Sequence, residues 1–75
     1  MTSQEVRTSL MAADPEFRRL ADQHWQCESR LEEILNSPYL SGEDLVQEVT
    51  LKKLKLRLKD RMESIIAQRQ REFQH

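Results

Sequence analysis

Two side chains with metal-binding or nucleophilic chemistry, His24 and Cys27, stand three residues apart, and six cations, Lys52, Lys53, Lys55, Arg57, Lys59 and Arg61, crowd a later stretch. On a helix, a spacing of three puts His24 and Cys27 on one face. With Glu28 and Asp60 they are the residues from which a metal site would be drawn, and such a site needs three or four convergent ligands. The chain segment expected opposite them offers mainly lysines and leucines, which repel a cation, so no metal is expected. Cys27 as a nucleophile needs an activating base and a concave pocket. The lone Gly42 cannot build a phosphate-cradling loop. Cys27 is therefore read as a buried structural thiol. His24 is read as one half of a structural polar pair with Asp60 that fixes helix register, since a polar seam residue commonly specifies pairing. A pH-sensitive role for His24 is the sharper but weaker reading. No catalytic residue, cofactor or small-molecule substrate is expected, and the chain is read as not an enzyme. His75 is assigned no role.

The cations carry two readings. Lys52, Lys53, Lys55, Arg57 and Lys59 have the local density to neutralise phosphates, which makes nucleic acid a possible partner. Against that, a helix spreads these charges over several faces, the sequence pI is about 6.1, and no aromatic residues interleave with the bases to stack on nucleotides. The charges also have an intramolecular use. Residues 16–50 hold eight acids and three bases, whereas residues 51–61 hold six bases and one acid. Folding one segment onto the other sets acid against base.

The elements that would position these residues are helices. The 75 residues include one Gly and two Pro, and 33% are charged. That composition favours long helices over sheets. A chain of this length buries only about 60% of its unfolded surface, so its core is thin, and it makes one domain. Thr2 with Glu5 has capping-box spacing, and Val6, Leu10 and Met11 give a short apolar stripe, predicting a helix over 3–13. Asp14-Pro15-Glu16 is an N-cap, first helical position and acidic first turn, predicting a first arm over 15–36. Its seam reads Phe17, Leu20, His24, Cys27, Leu31, Ile34, in alternating steps of three and four. Residues 37–41 read as a turn, and Ser41 with Asp44 starts a second arm over 42–71, leaving 72–75 as a frayed tail.

The second arm has two apolar faces. Leu51, Leu54, Leu58, Met62, Ile65, Ile66 and Phe73 fall on one stripe, and Leu45, Val49 and Leu56 on another. The fold class expected is all-α: an antiparallel helical hairpin with a short N-terminal helix packed near the base, at Ile65 and Ile66. A turn centred on Tyr39 sets Ile34 against Leu45, Leu31 against Val49, His24 against Leu56, Glu28 against Lys52, and Asp22 against Lys59 or Arg57.

The stretch from Pro15 through Phe17, Leu20, His24 and Leu31, then a polar turn, then Leu51-Lys52-Lys53-Leu54-Lys55-Leu56-Arg57-Leu58-Lys59-Asp60, resembles the small bacterial YdcH-like family. The resemblance covers roughly residues 14–66. It implies a bacterial cytosolic helical hairpin and no activity, because the family is one of uncharacterised function. Two positions depart from the family pattern. Cys27 stands where a larger aliphatic is usual, and Leu54 where a polar residue is usual.

No run of about 18 apolar residues exists, the first residues lack the apolar core of a signal peptide, and no Trp or Phe flanks the basic run. A cytoplasmic protein without a membrane partner is expected. The leftover apolar surface, Trp25, Leu45, Val49, Leu54 and Leu56, points to an interaction module that docks with an unknown protein or with a second copy. A small nucleic-acid-associated protein is the alternative.

Overall fold

The computed structural model describes residues 2–72, and they form three α-helices: α1 (Ser3–Ala13), α2 (Pro15–Leu35) and α3 (Gly42–Glu72). The expectations placed on Phe73, His75 and the end of the tail lie outside the described residues. Glu72, expected in the tail, closes the last turn of α3.

Each helix starts where a side chain takes up free backbone N–H groups. Thr2 Oγ1 accepts from the Glu5 N–H at 3.2 Å. Asp14 ends α1 and begins α2. Its own N–H donates to the Leu10 carbonyl at 2.8 Å, and its Oδ1 accepts from the N–H groups of Glu16 and Phe17 at 2.9 and 3.2 Å. The extended backbone of Asp14, φ −109° and ψ 107°, is the conformation a following proline enforces. Ser41 and Asp44 form a reciprocal capping box: the Asp44 N–H donates to Ser41 Oγ at 3.1 Å and the Ser41 N–H to Asp44 Oδ2 at 3.2 Å. Between α2 and α3, the Ser37 hydroxyl donates to the Tyr39 carbonyl at 2.8 Å and tightens the turn.

Contacts between α2 and α3 join Glu16 to Arg61, Glu28 to Lys55 and Arg30 to Gln47, so position falls along α3 as it rises along α2. The molecule is a rod of 53 × 19 × 17 Å. Its core sits at one end, the base. There Val6 and Leu10 of α1 meet Phe17 of α2 and Met62 and Ile66 of α3, with Leu20, Ala21 and Ile65 packed against them. Toward the other end, the apex, α1 is absent and two helices pack alone. Cys27, Leu31 and Ile34 of α2 and Leu58 of α3 are buried, but nothing on α3 before Leu58 is fully buried.

The rotation of α3 explains that asymmetry and corrects which face of α3 was expected to meet α2. Up to Ile66, its buried or half-buried positions are Asp44, Glu48, Leu51, Lys55, Leu58, Met62 and Ile66, with Ile65 beside them. They form one stripe in steps of three and four. The base fixes this rotation, because Leu58, Met62 and Ile66 carry the apolar burial. An unbroken helix then carries the same stripe upward onto Lys55, Leu51, Glu48 and Asp44. Leu45, Val49 and Leu56 are turned outward and remain exposed, so they do not cover Ile34, Leu31 and His24 as expected. Leu54, grouped by sequence with Leu51 and Leu58 on one stripe and counted in the leftover apolar surface, is exposed. Glu28 reaches Lys55 rather than Lys52, which pairs with Glu48 one turn back on its own helix at 2.8 Å. Asp22 accepts from Gln26 on its own helix at 3.1 Å, not from Lys59 or Arg57.

Candidate functional site

The outward rotation of α3 opens a groove of about 760 Å³ in the apical half, between α2 and α3. Its apolar lining is Leu31, Leu35 and Leu56. Leu31 is buried by the helix pair, whereas Leu35 and Leu56 are each 60% exposed. One edge is acidic, with Glu28 and Glu32 an α-helical turn apart on α2; the other is basic, with Lys52, Lys55 and Lys59 on α3. Lys55 bridges the two edges at 3.3 Å from Glu28. Among the described residues, Glu32 and Lys59 have no ion-pair partner in the chain, so the two edges carry uncompensated charge of opposite sign.

α1 closes the lower end of this groove. A smaller cavity of about 180 Å³ is lined by Arg7, His24, Glu28, Lys55, Lys59, Met62 and Glu63, and it shares Glu28, Lys55 and Lys59 with the groove. Arg7 of α1 stands 3.5 Å from Glu63 there.

Five residues were expected to form one interaction surface, and all five are exposed, but the structure divides them. Leu56 lines the groove. Trp25, 64% exposed, follows the Glu28–Glu32 edge on α2, one turn below Glu28. Leu45 and Val49 continue the outward stripe of α3 that carries Leu56. Leu54 belongs to the opposite side of the helix pair, where it lines a separate depression with Gln23, Gln26, Cys27 and Leu51. A difference of two positions, about 200° of helix, accounts for the division. The expectation overlooked Leu35, Glu28 and Glu32. Their signal lies in two i, i+4 steps on α2, Leu31 to Leu35 and Glu28 to Glu32, which run beside the seam rather than in it.

The polar pair expected between His24 and Asp60 does not form. His24 Nε2 lies 3.8 Å from Glu28 Oε1, on its own helix, and Asp60 is exposed with no ion pair or hydrogen bond to its side chain among the described residues. The α3 rotation set at the base turns Asp60 away from α2. Cys27 is a free, buried thiol. Among the described residues, no three His, Cys, Asp or Glu side chains cluster as a metal site.

The five cations of the basic run are also divided. Lys52 and Lys55 are engaged with Glu48 and Glu28. Lys59 stands on the groove edge. Lys53 and Arg57 lie one turn apart on the outer face of α3, exposed and without an ion pair among the described residues. Arg61, just beyond, donates to Glu16 at 2.9 Å.

The described residues are all-helical, three helices with an open groove of mixed charge between α2 and α3. This chain belongs to the family described as a protein of unknown function (DUF465), whose family model matches residues 17–66. The matched stretch holds both sides of the groove and leaves out α1. No curated protein and no solved structure matches the chain. Among the described residues, no helix is long and apolar enough to cross a membrane.

Proposed function

We propose that this chain is a non-catalytic protein-interaction module: an antiparallel hairpin, braced at its base by α1, that offers the apical groove to a partner. The observation that carries this reading is the exposure of large apolar side chains around the groove, Leu35, Leu56 and Trp25, in a chain with a thin core. Exposed apolar and aromatic side chains beside a groove are the usual anchors of helix-in-groove recognition. The YdcH-like resemblance supports a bacterial cytoplasmic setting and supplies no activity.

The second reading, contact with nucleic acid, is favoured by one observation, the pairing of exposed Lys53 and Arg57 on the outer face of α3. Only three of the five cations lack an ion pair within the chain, which weakens the electrostatic footprint that phosphate binding needs.

The experiment is affinity capture of the tagged protein from a bacterial lysate at moderate salt, with and without nuclease, in parallel with the Leu56→Gln variant. A protein partner that survives nuclease and is lost with Leu56→Gln is the expected result. Partners that vanish with nuclease and weaken steeply with salt would instead put Lys53 and Arg57 at the working surface.

A further inference from the structure

We infer that the apical groove receives a single short amphipathic helix from another protein, seated on Leu31, Leu35 and Leu56, with basic side chains toward Glu28 and Glu32 and acidic ones toward Lys52 and Lys59. This rests on the interaction-module reading and names the kind of partner.

The first argument is continuity. α1 is itself a short amphipathic helix, with Val6 and Leu10 buried, and it closes the lower end of this groove through Arg7. Arg7 meets Glu63 of α3 as it seats there. The apical groove offers the same kind of seat one step further along. From Glu28 to Asn36 the α2 edge spans about 12 Å, at ~1.5 Å per residue. Anchors at i, i+3 or i+4, and i+7 of a docked helix cover that distance.

The second argument is charge. Glu32 and Lys59 stand on opposite edges of the groove and toward its opposite ends, without ion pairs of their own among the described residues. A helix lying between them with opposite charges on its two flanks satisfies both edges. A helix of one sign satisfies one edge and is repelled by the other.

The third argument concerns a second copy. A closed pair of identical chains is two-fold and isologous. With the two-fold along the groove, the copies lie base to base, and both α1 helices stand between the hairpins. With the two-fold across the groove, the Glu28–Glu32 edge meets its own copy and the lysine edge meets its own copy. Opposed like charges suppress that arrangement. A separate helix meets neither obstacle.

The probe is a synthetic helical peptide of roughly 14 residues, about four turns. It carries leucines at the anchor spacing, Lys along one flank, Glu along the other, and no aromatic residue. Two further peptides keep the leucines and carry only Lys or only Glu. Binding is read from the fluorescence of Trp25, the one tryptophan of the chain, and by calorimetry. The mixed peptide is expected to bind best. Leu35→Gln and Leu56→Gln, both at exposed positions, are expected to weaken it about tenfold while helicity is unchanged. Glu32→Lys is expected to shift preference toward the all-Glu peptide, and Lys59→Glu toward the all-Lys peptide, each by about threefold. Equal binding of the three peptides, or binding indifferent to Leu56→Gln, would overturn the inference. So would a two-fold dimer by sedimentation that Leu56→Gln disperses, although that result leaves the interaction-module reading standing. Capture by Leu56 of a protein that binds through no helix would separate the two in the same way.

Discussion

Lys55 Nζ of α3 lies 3.3 Å from Glu28 Oε1 of α2 and closes an ion pair across the floor of the helix pair. Lys55 occupies a position on the inward stripe of α3 that a buried leucine would ordinarily hold. Its side chain is only half-buried, which lets a lysine hold that position with its charged head on Glu28. The consequence is a seam that aligns the helices while contributing little apolar burial. A double-mutant cycle with Glu28→Gln and Lys55→Met is expected to give a coupling of about 0.2–1 kcal/mol, measured by urea unfolding. The coupling is expected to shrink in high salt. A coupling several times larger would mean that the pair, not the base, sets the register.

The base carries the stability. Phe17 is fully buried against Val6, Leu10, Met62 and Ile66. Phe17→Ala is expected to cost about 3–5 kcal/mol, enough to unfold a domain with so small a core at 25 °C. Far-UV circular dichroism checks this directly. Under the same conditions Leu56→Ala is expected to change stability by no more than about 0.5 kcal/mol, because its side chain is already exposed.

Asp14 serves two helices at once. Its carboxylate caps α2, and its backbone N–H closes α1. Asp14→Ala removes the side-chain cap alone and is expected to lower stability by about 1 kcal/mol, whereas Asp14→Asn retains most of it. Thermal melts of the three proteins provide the comparison. If Ala and Asn behave alike, the backbone turn imposed by Pro15 is sufficient without the cap.

The helix boundaries were legible because each start is written in local chemistry: Thr2 with Glu5, Asp14 with Pro15, and Ser41 with Asp44. The base was legible as well, since Val6, Leu10, Phe17, Met62 and Ile66 are apolar at helical spacing. The rotation of α3 was not. That helix carries two apolar stripes, and nothing local says which one turns inward. The choice is made at Met62 and Ile66, by contact with α1 and Phe17, and an unbroken helix then imposes it on Glu48 and Asp44, about four and five turns from Met62. A reading that pairs positions by distance from Tyr39 has no means of sensing that constraint. It therefore set Glu28 on Lys52 and His24 against Leu56, within a turn of Asp60.

The position of Asp60 supplies a direct check on that rotation. Asp60 is exposed, and His24 Nε2 lies 3.8 Å from Glu28 Oε1 on its own helix. Asp60→Asn is therefore expected to leave stability within about 0.5 kcal/mol of the parent, in line with other exposed substitutions. Urea unfolding measures it. A loss of more than 1–2 kcal/mol, of the order of a charged hydrogen bond, would place Asp60 against α2 and require α3 to be turned about its axis.

Leu54 and Leu56 separate the two sides of the molecule. Each is apolar, each is exposed, and each tolerates a polar side chain by the same physical argument. They differ in what lies beside them. Leu56 shares the groove with Leu31 and Leu35 between edges of opposite charge. Leu54 shares a depression of about 320 Å³ with Leu51 and Cys27, bordered by uncharged Gln23 and Gln26. Two single variants, Leu54→Gln and Leu56→Gln, are expected to match in thermal stability and to diverge in binding: Leu56→Gln loses partner capture, and Leu54→Gln retains it. Capture from lysate and sedimentation of both variants provide the measurement. Loss of capture with Leu54→Gln alone would move the working face to the Gln23–Gln26 side. Retention by both variants would leave neither side as the anchor and shift the search to Leu45, Val46 and Val49, the other large apolar groups exposed on α3, near its start.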